Sequence, residues 1–232
     1  MGRFAKLLIA LGLVPMVMAT GRFAWWCLGQ TTEWPWEELL ALGAGVGLAG
    51  LAYVWLPRPT WWYVLGHEAT HALAVWFSGG RVLRFRVSGT GGEVVADRNS
   101  PLIALAPYVF PFYPVVAVGL WLVLSWAWGE AVRFEKVFWV VWGLAWGFHA
   151  AFTLSVLKTA QPDFASQGYF FSFVVIALGN LGLFVALFCL WMKPVGFAEG
   201  AAVLGRMVQE SYGAAWGAGV WVVNRFAGGK GS

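Results

Sequence analysis

Apolar residues dominate six long blocks of this chain, at about 5–28, 38–56, 60–78, 101–128, 136–157 and 168–192, joined by short polar, glycine- or proline-bearing segments. Each block approaches or exceeds the ~20 residues a helix needs to cross hydrocarbon, so the pattern predicts six transmembrane helices. Between Gly79 and Ser100 the period shifts from 3.6 to 2. Leu83, Phe85 and Val87 alternate with Arg84 and Arg86, a turn follows over Ser88–Gly92, and Glu93, Val94 and Val95 resume the alternation. This stretch reads as a β-hairpin. Pro101, Pro107, Pro111 and Pro114 crowd the start of the fourth block and predict a broken or re-entrant opening to that span, because proline withholds a helix donor. Beyond Lys193 the apolar positions come in patches interrupted by Gly200, Gly205, Gly213, Gly217 and Gly219, which predicts an interfacial helical tail over 193–232.

Composition agrees with this pattern. At 60% hydrophobic and 11% charged, the chain lies far from the soluble average of about one-quarter charged residues. The expected fold is an all-α polytopic membrane protein of about six transmembrane helices, with a short β-hairpin after the third. Residues 1–192 form one domain, with its core at about 60–180, embedded in a lipid bilayer that is expected to be a bacterial inner (plasma) membrane. Tryptophans such as Trp25, Trp26, Trp55, Trp61 and Trp128 flank the block ends, at the headgroup level that indoles prefer. Trp139, Trp142 and Trp146 instead repeat at helical spacing, as packing between helices requires. The first block resumes its apolar character after Arg22, as an uncleaved anchor does and a signal peptide ending at Ala19 does not. Cys27 and Cys189 are far apart in sequence and read as free thiols. The formal charge of +4 is scattered over the joints and offers no basic stripe for nucleic acid. With the Arg3 end inside, Lys6, Arg58, Arg133, Lys136, Lys193, Arg206, Arg225 and Lys230 share that side, and the arginines of Gly79–Ser100 are the exception.

The chemistry concentrates in the third block. His67, Glu68, Ala69, Thr70 and His71 spell H-E-x-x-H and use two of the three histidines in the chain. One helical turn puts both imidazoles on the same face, where they can grip one metal ion, while Glu68 lies about 100° around the helix and can hold a water beside it. Shuffling this composition would produce the pattern in roughly one or two chains per thousand. The plain alternative is a pair of core histidines, and three ionisable side chains in five residues of an apolar helix are expensive for that role.

A catalytic zinc site wants a third protein ligand and an open position. Glu93, Asp97, Glu130, Glu135, Asp163 and His149 are the candidates. Asp163 is placed first, because Pro162 breaks the chain between the fifth and sixth blocks, and a carboxylate there can turn back toward the third helix if the fifth ends near Ser155. The alternative for Asp163 is a cap on the sixth helix. His149 is second; its other readings are hydrogen bonding in the bundle or near the oxyanion and, ahead of that, a satisfied core histidine.

Gly66-His67-Glu68-Ala69-Thr70-His71-Ala72, the following Gly79-Gly80-Arg81-Val82, the strand-forming segment and a later proline-bearing aspartate together resemble the site-2 protease family of intramembrane zinc metallopeptidases. The resemblance covers about residues 60–180. It implies Zn2+ bound by His67, His71 and Asp163, a catalytic Glu68 that activates water, and a membrane-embedded protein as substrate. The rival expectation is a non-proteolytic transporter or scaffold around a structural metal. A zinc hydrolase acting on lipid or a prenylated peptide is a third.

Overall fold

The computed structural model describes residues 2–57, 59–157 and 162–227. Arg58, Lys230 and the Thr159–Gln161 stretch, on which parts of the sequence reading rest, lie outside the described residues. The elements are α1 (Arg3–Gln30), α2 (Trp36–Trp55), α3 (Thr60–Phe77), β1 (Val82–Ser88), β2 (Gly91–Ala96), α4 (Pro101–Leu105) with a 3₁₀ turn at Ala106–Tyr108, α5 (Phe112–Ala127), α6 (Glu135–Leu157) after a 3₁₀ turn at Gly129–Phe134, α7 (Pro162–Gln167), α8 (Tyr169–Met192) and α9 (Phe197–Ala227). The chain is mostly helical, with one antiparallel two-stranded hairpin directly after α3, as the patterning predicts. The turn is tighter than expected, since Ser88 already pairs with Gly91.

Two compact units divide the chain. In the first, α1 and α8 run parallel: Gly21 faces Leu181, and farther along Cys27 Sγ lies 3.9 Å from Cys189 Sγ. Both thiols are free, yet packing makes neighbours of residues far apart in sequence. They sit in a core with Phe23, Phe188 and Val203. The five tail glycines do not interrupt α9, which is one continuous helix. Its first half runs antiparallel to α1, from Gly200 beside Phe23 to Tyr212, whose hydroxyl donates to the Gly12 carbonyl at 2.7 Å. Arg22 and Glu210 pair across the two helices at 2.6 Å. The interfacial expectation for the tail therefore narrows to the second half of α9, where Gly213–Arg225 is exposed throughout.

In the second unit, α2 and α6 approach at glycines. A Cβ on Gly45 would strike the Val140 carbonyl, one on Gly143 the Leu42 carbonyl, and one on Gly147 would come within 2.6 Å of the Ala49 Cβ. Small residues let helix backbones touch where lipid offers no hydrophobic drive to association. The register also shows that α2 and α6 are parallel. α5 is antiparallel to α6, with Tyr113 against Phe148 and Trp121 against Phe138.

Among the described residues four helices are long and apolar enough to cross a membrane, namely α1, α2, α6 with its preceding turn, and α8; the α4–α5 pair, bent by 71°, raises the count to five. α1 and α8 run parallel, as do α2 and α6, and the six spans read from the sequence are not shown. At the proline-rich joint α4 lies along α3, with Ile103 beside His71 and Tyr108 beside His67, and α5 leaves it at an angle of 71°.

Candidate metal centre

α3 stays helical through its polar centre because its side chains satisfy themselves locally. The Thr70 hydroxyl returns to the Gly66 carbonyl at 2.8 Å. Gly66 is required by its neighbour, since a Cβ there would stand 2.7 Å from the Tyr113 ring, whose hydroxyl donates to the Trp62 carbonyl. The helix ends at Gly79, where a left-handed φ of 68° lets the Gly79 and Gly80 amides bond back to Trp76 and Val75, both at 2.9 Å. This stop aims the chain back along α3 as the hairpin. Thr60, at the start of the helix, donates to the Gly89 carbonyl at the hairpin tip at 2.9 Å.

His67, His71 and Asp163 converge, with one ligand atom from each lying within 4.8 Å of the others. Asp163 Oδ2 is 3.6 Å from His67 Nε2 and 3.6 Å from His71 Nε2. That is too long for hydrogen bonds and close to the ~3.4 Å between two ligands of a tetrahedral ion with ~2.1 Å bonds. The histidine tautomer also suits a ligand. The Ile103 carbonyl can only accept, so the 2.8 Å contact puts the proton on His71 Nδ1 and leaves Nε2 bare. Tyr63 Oη lies 3.4 Å from His67 Nδ1, one turn back on α3. The Tyr108 hydroxyl donates to Asp163 Oδ2 at 2.9 Å. Two imidazoles and one carboxylate can hold a divalent transition metal.

Glu68 stands apart from this trio. It is 8% exposed and lines the same cavity of about 510 Å³, whose wall includes Gly92–Ala96 of β2 together with Arg98, Asn99 and Ser166. Gly92 lies directly on Glu68, for a Cβ there would overlap the Glu68 Cγ and come within 2.8 Å of Oε1. The hairpin is thus part of the site, and among the described residues the sheet has two strands, so β2 has no strand partner there on its other edge.

The remaining candidates are elsewhere. Glu93 lines the cavity and lies 3.8 Å from Arg84, Glu130 pairs with Arg133 at 2.7 Å, and Glu135 accepts from the Trp139 indole at 3.2 Å. Asp97 ties the hairpin base to the Arg81 amide at 2.7 Å, and that N–H holds its carboxyl below the ordinary range. His149 stays outside the trio, in a separate cavity of about 20 Å³ on the other side of His67, with Tyr63, Thr70 and Tyr113. The Asp163 route differs from expectation in two ways. α6 does not end near Ser155 but runs to Leu157, and Asp163 lies in the first turn of α7 and not on unwound chain.

Sequence reasoning missed Tyr108, the Ile103 carbonyl and Gly92. Tyr63 was legible in principle, four residues before His67 on the same helix face. A scan against protein-family models and searches of curated proteins and of solved structures give no match to this chain.

Proposed function

We propose that this protein is a zinc endopeptidase of the site-2 protease kind, cleaving a membrane-embedded segment of another protein. The observation that carries the reading is the convergence of Asp163 on His67 and His71 with Glu68 beside them but outside the trio. Three ligands and an adjacent carboxylate suit a catalytic zinc, whereas a structural zinc is closed by four protein ligands. Among the described residues the group has three members. Zinc held there by His67, His71 and Asp163 would supply Lewis-acid polarisation of a carbonyl and acidification of water. Glu68, at the cavity wall, would accept a proton from water and deliver it to the leaving amine. The unpartnered edge of β2 supports an extended substrate bound by strand addition, which a peptidase needs because a helix hides its peptide bonds.

The test is Glu68→Gln, which keeps shape and hydrogen bonding but cannot accept the proton. Zinc content should hold, and cleavage of a reconstituted transmembrane substrate should fall by ~10²- to 10⁴-fold. Full activity would end the mechanism, and loss of zinc would move Glu68 into the coordination shell.

A further inference from the structure

Tyr108 is where the two distant parts of the centre meet. It is 1% exposed, in the 3₁₀ turn that follows α4. Its hydroxyl donates to Asp163 Oδ2 at 2.9 Å, and this is the same oxygen that lies 3.6 Å from each histidine Nε2. On one side its ring packs on Phe164 of α7 with centroids 4.7 Å apart, and on the other it meets the His67 ring edge-on at 5.5 Å. A buried phenol needs an acceptor, and packing on both faces leaves the ring no freedom to follow one elsewhere. Tyr108 is not among the described residues that line the cavity.

We propose that Tyr108 is a positioning residue for the metal centre. Its hydroxyl fixes the Asp163 rotamer so that Oδ2 is offered to the ion, and in doing so sets metal affinity. α7 has only six residues, and the ligand it carries comes from a part of the chain far from α3. A carboxylate at such a place can turn through several rotamers, most of which point Oδ2 away from the histidines. The phenol selects one of them by occupying one lone-pair direction of Oδ2 and leaving another toward the site. Partners that orient a ligand in this way are worth ~10- to 100-fold in metal affinity. The proposal rests on the metal-binding half of the functional reading and not on what the site cleaves.

The experiment uses the full chain purified in detergent, with Zn2+ affinity measured by chelator competition and the coordination sphere read from the visible absorption of the Co2+ form. Tyr108→Phe keeps the ring contacts with Phe164 and His67 and removes only the donor. It should bind Zn2+ ~10- to 100-fold more weakly and shift the Co2+ spectrum, while the metal-free protein keeps the parental helical content by circular dichroism. Phe164→Leu disturbs the packing but keeps the hydroxyl, and should stay within about threefold of the parent affinity. A Tyr108→Phe protein with parental affinity and spectrum would overturn the proposal, as would a parent chain that binds neither metal. A parent that binds Zn2+ tightly but cleaves nothing would sink the peptidase reading alone.

Discussion

The closest contact in the site predicts the effect of a single methyl group. Gly92→Ala places a Cβ 2.7 Å from Val64 Cγ1 and 2.8 Å from Glu68 Oε1, and overlapping the Glu68 Cγ. Ordinary carbon contacts begin near 3.5 Å, so something must move by the order of 1 Å. Val64 is β-branched on a helix and holds one rotamer, which leaves Glu68 or the β2 backbone to yield. Overpacking of this kind costs ~1–3 kcal/mol in stability. The larger effect falls on catalysis, since a 1 Å misplacement of a reacting group costs ~10²-fold in rate. Glu68 is the proposed base, and His67, His71 and Asp163 are not among the atoms that Cβ meets. The expected outcome is therefore a ~10²-fold loss of kcat with zinc content unchanged, measured on one preparation by metal analysis and by cleavage of a reconstituted transmembrane substrate. Gly89→Ala, in open space at the hairpin tip, should leave both unchanged and serves as the control. Full activity in Gly92→Ala would refute the claim that the hairpin positions Glu68, and loss of zinc would show that β2 supports the ligands instead.

Two further outcomes follow. Asp163→Ala should lower zinc occupancy about as much as His71→Ala, while His149→Ala should leave zinc bound, because His149 lies in a separate cavity; the reverse result would transfer the third ligand to His149. Topology reporters placed in the Thr31–Pro35 joint and in the Gly129–Phe134 turn should report the same side of the membrane, since α2 and α6 run parallel; opposite sides would favour six crossings.

The sequence showed more of the site than of its surroundings, for a physical reason. The H-E-x-x-H spacing is local, and one helical turn converts it directly into geometry. Hydropathy blocks likewise give helix positions within a few residues, as α2 and α8 illustrate. Direction is not local. Whether Pro101–Tyr108 continues a span or turns back along α3 depends on where Ile103 and Tyr108 find partners, and those partners are His71 and Asp163. The hydrophobic block over 101–128 looks the same in either case, so counting blocks does not reveal the bend between α4 and α5. The same limit applies to α9, whose glycines look like breaks in isolation but lie within one helix packed along α1. Asp163 was reachable from sequence because a carboxylate in an apolar chain is rare enough to demand a role. Tyr108 was not, since a tyrosine among prolines carries no such demand.

One proline links the broken fourth block to the chemistry. In a helix that continued past α4, the donor to the Ile103 carbonyl would be the amide of residue 107, and residue 107 is proline, which has none. A carbonyl without its helical donor at this depth must find another partner or bear the cost of burial. His71 Nδ1–H takes that place at 2.8 Å, which fixes the imidazole tautomer with Nε2 facing Asp163. The proline just past the end of α4 therefore frees the acceptor that orients a ligand. A straight fourth span would have spent the Ile103 carbonyl within the helix.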